Sequence, residues 1–180
     1  MVEAVLTPPP VLVAPPAPAP AMFRKSVFDH VLPHMRRDQR LVVLVGDMGF
    51  GAIDKITNEF PDRLINLGMM EQGMVGIAAG LAMAGMKPVI YSMPNFLAFR
   101  ALEQIRNDVV LQGQAVKLVA TGVNDYFRFL GGSHCCGQDD ATLMKLVGVR
   151  VHDPYEPLCQ DFAGMVDAWI SDDKPAYLRV

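Results

Sequence analysis

Five consecutive branched apolar residues, Leu41-Val42-Val43-Leu44-Val45, stop at Gly46-Asp47. The run is too short for a buried helix and has no polar alternation, so it predicts a strand covered on both faces. Strands of that kind belong to parallel sheets, whose crossover helices lie above and below. The chain repeats the pattern. Leu64-Ile65-Asn66-Leu67, Pro88-Val89-Ile90-Tyr91-Ser92, Val116-Lys117-Leu118-Val119-Ala120-Thr121, Val149-Arg150-Val151 and Ala176-Tyr177-Leu178-Arg179-Val180 read as further strands. Apolar residues at helical spacing fall between and before them, over about 23–37, 53–60, 73–85, 99–112, 139–147 and 158–170. In the 99–112 stretch Leu102, Ile105, Val109 and Leu111 are expected to face inward, and Asp139 or Asp140 is expected to cap the next helix. The alternation predicts an α/β fold: a three-layer, doubly wound, mostly parallel sheet with helices on both faces. Ligands of such sheets gather at the carboxyl ends of strands. Asp47, Glu71, the loop after Tyr91 and the loop holding His134 all fall there.

The segment Asn66-Leu67-Gly68-Met69-Met70-Glu71-Gln72-Gly73 runs into Met74-Val75-Gly76-Ile77-Ala78-Ala79-Gly80-Leu81-Ala82-Met83-Ala84-Gly85. Glu71 is its one ionisable side chain before Lys87. From Gly73 onward the segment is small or apolar on every side, which predicts a buried helix. Each glycine costs about 1 kcal/mol of helix propensity relative to alanine, so Gly73, Gly76 and Gly80 need a reason. Close approach of a second backbone is one. An unpaired carboxylate at the mouth of such a helix is expensive, so Glu71 requires a partner. The plainer reading is a first-turn acid complementing the helix dipole.

Composition narrows the function classes. A hydrophobic fraction of 51% and a charged fraction of 19% over 180 residues describe a globular domain with a core. A net charge of −3 gives no electrostatic case for nucleic acid or an anionic membrane. The uncharged run falls short of the ~20 residues that a membrane span needs. Three cysteines, Cys135, Cys136 and Cys159, make no disulfide framework, and a reduced, cytoplasmic setting is expected. Residues 1–22 are rich in proline and alanine and predict a flexible tail ahead of one domain over 23–180. That tail lacks the basic start and proline-poor core of a signal peptide. Gly46, Gly49 and Gly51 have the wrong order for a dinucleotide fingerprint, and no Lys-Ser/Thr follows for a phosphate loop. His134 stands beside Cys135-Cys136, but adjacent cysteines suit tetrahedral zinc poorly, so no metal site is expected in this chain.

Gly68-Met69-Met70-Glu71-Gln72-Gly73 with Gly76-Ile77-Ala78-Ala79-Gly80-Leu81-Ala82 resembles the G-x-x-E-[QH]-x-x-x-G-x-A-x-G-x-A segment of the transketolase superfamily. That superfamily of thiamine diphosphate enzymes includes transketolase, deoxyxylulose-phosphate synthase and the beta subunits of 2-oxoacid dehydrogenases. Tyr91-Ser92-Met93-Pro94-Asn95-Phe96-Leu97-Ala98-Phe99-Arg100, followed by Glu103-Gln104-Ile105-Arg106, resembles the next block, where an aromatic stacks on the cofactor's aminopyrimidine. Gly131-Gly132-Ser133-His134 with Gln138-Asp139-Asp140 resembles the G-x-T-H…E-D block, whose His faces substrate. Lys174-Pro175-Ala176-Tyr177-Leu178-Arg179 resembles the closing P-x-Y-[IL]-R strand. The four blocks keep their order across about 23–180.

The resemblance implies a pyrimidine-binding domain in which Glu71 hydrogen-bonds a ring nitrogen of thiamine diphosphate. It implies Phe96 as the stacking ring, with Phe99 and Tyr91 behind it, Met70 on the apolar flank, and His134 toward substrate. Phe127-Arg128-Phe129-Leu130 stands where sugar-using relatives carry an acid, which points to an apolar or small 2-oxoacid donor. Arg128 would then meet a carboxylate or phosphate. Gly46-Asp47-Met48 lacks the last glycine of the family's G-D-G diphosphate/Mg²⁺ motif, so Asp47 is assigned a structural role. The chain is therefore expected to be the small subunit of a split enzyme. A partner large subunit would hold the diphosphate and Mg²⁺ in an α2β2 heterotetramer, with the glycine face of the 73–85 helix at a subunit contact. A beta-type subunit of a 2-oxoacid decarboxylase or dehydrogenase, and a non-catalytic assembly or regulatory domain, are the alternatives.

Overall fold

In the computed structural model, residues 23–180 are described. The proline-rich tail expected over 1–22 lies outside the described residues. The strands are β1 (Leu41–Val45), β2 (Leu64–Asn66), β3 (Lys87–Ser92), β4 (Lys117–Ala120), β5 (Arg150–His152) and β6 (Ala176–Arg179). They form one sheet in the order β2-β1-β3-β4-β6-β5, with every neighbouring pair parallel. The doubly wound α/β prediction therefore holds, and strand bounds move by only a residue or so. Chain order reverses between β1 and β3, and that crevice is where such sheets bind ligands.

The apolar strands are covered twice, as their composition requires. Leu41, Val43 and Val45 of β1 pack into one core, with α1 (Phe23–Arg37), α2 (Asp54–Glu59) and α6 (Phe162–Ser171). Leu44 packs into the other, with α3 (Glu71–Met83), the helical stretch after β3, and α5 (Asp139–Leu146). Trp169 of α6 is fully buried and donates to the Ala176 carbonyl at 3.1 Å, tying α6 to β6.

Four local expectations are corrected. The stretch read as a helix over 99–112 begins earlier, at Asn95. It winds as π-type turns at Asn95–Arg100 and Ile105–Val110 on either side of α4 (Leu102–Gln104). The wider turn shifts the apolar stripe, so Ile105 and Val109 are buried while Leu111 is 63% exposed. The helix read over 158–170 starts at Phe162, because the Asp161 carboxylate caps it by accepting from the Gly164 amide at 2.8 Å. Neither Asp139 nor Asp140 caps α5: Gln138 holds the cap position, and Asp140 turns inward to an arginine. Finally, α3 is not buried all round. Met74, Val75, Ala78 and Ala79 face the core, whereas Gly76, Ile77, Gly80 and Met83 face outward.

Candidate active site

Backbone packing at the ends of β1 and β2 sets the position of Glu71. A Cβ on Gly46 would lie 2.7 Å from the Gly68 carbonyl oxygen, so only glycine lets the two loops pass this closely. Gly68 itself has φ +75, left-handed backbone that suits glycine. Asn66 stitches the loops together: its Oδ1 accepts from the amides of Asp47 and Gly68, each at 3.1 Å. Its Nδ2 donates to Asp47 Oδ1 at 2.9 Å. Asp47 thus braces the loop. The chain then enters α3, and Glu71 is its first residue, only 2% exposed.

The carboxylate has the partner that its burial demands. Arg100 Nη1 donates to Oε2 at 2.8 Å, and the Ser92 hydroxyl, at the end of β3, makes a long 3.5 Å contact with Oε1. Arg100 closes a turn that began at Asn95, and its Cζ lies over the Phe96 ring, 4.4 Å from the centroid. Phe96 also meets His134 in a T-shaped contact, with centroids 5.4 Å apart. Ser133 Oγ and His134 Nδ1 lie 3.0 Å apart. Asn95 Nδ2 donates to the Cys135 carbonyl at 3.0 Å and ties the His134 turn to the start of the π-type helix. An unbroken series runs Glu71, Arg100, Phe96, His134.

Three residues predicted from the sequence are therefore brought together: Glu71, Phe96 and His134. Tyr91 is not among them. Side chains alternate across a strand, so Ser92 takes the Glu71 side and Tyr91 packs on the opposite face, its ring 5.1 Å from Phe28. Its hydroxyl donates to Thr121 Oγ1 at 3.0 Å, and burial pushes the phenol above its ordinary value. Met70 precedes Glu71, is 43% exposed, and folds its methyl against Gly73. Phe99 is 47% exposed. Arg128 pairs with Asp125 at 3.3 Å on an exposed 3₁₀ turn. Ser92, Asn95 and Arg100 escaped the sequence reading of the site, although all three lie in the block that suggested Phe96.

Arg179 anchors the segment that follows His134. Fully buried, it reaches both oxygens of Asp140 at 3.0 and 3.1 Å, and Asp153. Its remaining donors reach Gln138 Oε1 and the Gly137 carbonyl, both at 2.8 Å, and Asn124 Oδ1 at 3.2 Å. Tyr177 donates to Asp140 Oδ2 at 2.9 Å. Burial works against the Arg179 charge, but the two carboxylates raise its pKa above the ordinary value. The Cys136 thiol is pushed up to about 12 by burial and by the Asp140 carboxylate, so it stays protonated.

The sequence profile of "Transketolase, pyrimidine binding domain" matches residues 20–180. The chain belongs to this family. This pyrimidine-binding domain is 33% identical over 141 residues to an apulose-4-phosphate transketolase subunit of Actinobacillus succinogenes, covering 78% of the chain and 45% of that protein. It is 27% identical over 159 residues to a 6-deoxy-6-sulfo-D-fructose transketolase subunit of Clostridium sp. (strain MSTE9), covering 88% and 49%. The chain spans about half the length of these curated relatives. A solved structure described as "Split gene transketolase, inactive beta4 tetramer" superposes with a TM-score of 0.74 at 27% identity, covering 87% of this chain and 50% of that one. Among the described residues, no helix of the pyrimidine-binding domain is long and apolar enough to cross a membrane.

Proposed function

We propose that this chain is the pyrimidine-binding component of a two-component, thiamine diphosphate-dependent transketolase-like enzyme. It would be a transferase moving a ketol or acyl group from a ketose or 2-oxoacid donor. The observation that carries the reading is Glu71, a carboxylate 2% exposed at the β1/β3 crevice whose partner Arg100 lies over the Phe96 ring. The residues fit an aminopyrimidine: Phe96 and Glu71 already accommodate one flat nitrogen donor, the Arg100 guanidinium. When bound, thiamine diphosphate supplies an electron sink for cleaving and forming carbon–carbon bonds. Glu71 would hold the proton shared with a ring nitrogen, Phe96 would stack on the ring, and Met70 would shield it from water. His134, in contact with Phe96, would donate to a substrate oxygen.

Two relatives are described as transketolase subunits and the superposed structure as a split-gene enzyme, which supports a separate large subunit here too. In this reading the large subunit holds the diphosphate and Mg²⁺, the complex is an α2β2 heterotetramer, and it works in the cytoplasm. A 2-oxoacid donor, as for the beta chain of a decarboxylase or dehydrogenase, is favoured by one observation. Phe129 and Leu130 stand 77% and 51% exposed just ahead of His134, with Arg128 beside them. These suit a small apolar body with a carboxylate better than a run of sugar hydroxyls.

The test reconstitutes the chain with a large subunit encoded by an adjacent reading frame. Donor consumption and proton exchange at the thiazolium carbon are then measured for wild type and Glu71→Gln. Loss of the shared proton should slow both by at least about 100-fold. Full turnover by Glu71→Gln would sink the catalytic reading and leave the assembly-domain alternative.

A further inference from the structure

The geometry points to Arg100 as a built-in occupant of the pyrimidine site, one that a cofactor must displace. The proposal rests on the reading of Glu71 and Phe96 given above and adds a residue with no role in it. Three observations carry it. The Glu71 side chain is 3% exposed whereas that of Arg100 is 48% exposed, so the pair has one fixed member and one at the solvent boundary. Among the described residues, the guanidinium's polar partner is Glu71 and its ring contact is Phe96. Those are the same two surfaces that a flat, nitrogen-bearing ring would use. The guanidinium is itself planar, cationic and rich in donors, so it meets the chemical demands of both.

The local fold explains why Arg100 can do this. Phe96 and Arg100 are four residues apart within the π-type turn Asn95–Arg100, which places their side chains on one side of the helix. At Ala101 the backbone leaves helical geometry, with φ −104 and ψ 16, before α4 begins. The arginine therefore sits at a break in the winding, with its terminal half reaching back over its own helix to the carboxylate. Rotating about its side-chain bonds frees both surfaces without moving a core residue. In the free chain this contact answers the buried charge of Glu71. The cost is that a pyrimidine ring binds only to the fraction of molecules in which Arg100 has swung out, and the apparent affinity falls by that fraction.

Binding rather than turnover tests the idea. The full chain is titrated with 4-amino-2-methylpyrimidine by NMR, and the complex with its large subunit is titrated with thiamine diphosphate by calorimetry. Wild type, Arg100→Gln, Arg100→Lys and Glu71→Gln are compared, with thermal melts to show that each is folded. Arg100→Gln should bind both ligands roughly tenfold more tightly, the strength of one half-exposed ion pair with its ring contact. Arg100→Lys keeps the charge without the plane and should fall between. Glu71→Gln should bind more weakly. If Arg100→Gln binds equally or more weakly while Glu71→Gln loses affinity, the displacement proposal is overturned and the pyrimidine reading survives. If neither variant changes binding, the pyrimidine reading itself fails and takes the proposal with it.

Discussion

Arg179 shows how much one buried charge can organise. Its guanidinium has no solvent exposure, and the five groups around it come from segments as distant as Asn124 and Asp153. Removing one member of a buried ion pair typically costs about 3–5 kcal/mol, because the other is left charged and uncompensated. Arg179→Ala should therefore lower the free energy of unfolding by about that much in urea titrations. It should also loosen the His134 loop, seen as faster hydrogen exchange at Gly137 and Gln138. The Cys136 thiol, held near 12 by burial and by Asp140, gives a second readout at the same scale. Native protein at pH 8 should leave Cys136 unlabelled by a thiol reagent, with peptide mapping as the check, and Arg179→Ala should expose it. Arg179 is the last residue of the stretch that resembles the P-x-Y-[IL]-R strand. Nothing in the linear sequence says that Asp140 rather than its neighbour Asp139 is the partner, because that depends on how α5 is rotated against β6.

At the scale of elements, α3 poses the sharper problem. Its sequence is apolar or small on every side, yet half its surface faces outward, including Ile77 at 40% and Met83 at 70% exposure. Within the chain, a Cβ at Gly80 would meet nothing within 4 Å, and one at Gly76 would reach only Asp108 Oδ2 at 4.0 Å. Neither glycine is required by packing inside this domain. The proposed subunit contact supplies the missing reason, since a second backbone could approach along this face. Gly80→Ala should raise the stability of the chain alone by about 1 kcal/mol through helix propensity, a few degrees in melting temperature. The same change should weaken assembly with the large subunit, measured by sedimentation velocity. Unchanged assembly would mean that α3 does not lie at the contact. The periodicity of this helix was plain in the sequence. Which face would be covered was not, because an all-apolar helix carries no polar stripe to mark its solvent side.

For the whole molecule, the amino and carboxyl ends of the sheet divide the work. The site lies at the carboxyl ends, and the opposite end is tied down by ion pairs. Asp38, between α1 and β1, takes Arg40 at 2.8 Å and Lys87, the first residue of β3, also at 2.8 Å. Arg40 first, then Lys87, holds its carboxyl well below the usual carboxylate range. A carboxylate with a depressed folded pKa stabilises the fold fully above its unfolded value, near 4, and loses that contribution as pH falls further. Asp38→Asn should therefore cost about 1 kcal/mol at pH 7, and the difference from wild type should shrink progressively as pH falls below about 4. Equal melting temperatures for the two proteins at pH 7 would show that the pair contributes nothing.

The sequence by itself determined the layered architecture, since apolar runs without alternation can be satisfied only by helices on both faces of a parallel sheet. It also determined that a lone acid at the head of an uncharged helix needs a partner, and it put Phe96 and His134 on the same end of the sheet. Tertiary structure decided what depends on rotation and on contacts far apart in the chain. Strand alternation turned Tyr91 away and brought Ser92 in, a π-type turn moved Leu111 outward and swung Arg100 onto Glu71, and α3 kept a bare face. Each outcome depends on which way a packed element is turned toward its neighbours, which composition and spacing do not encode.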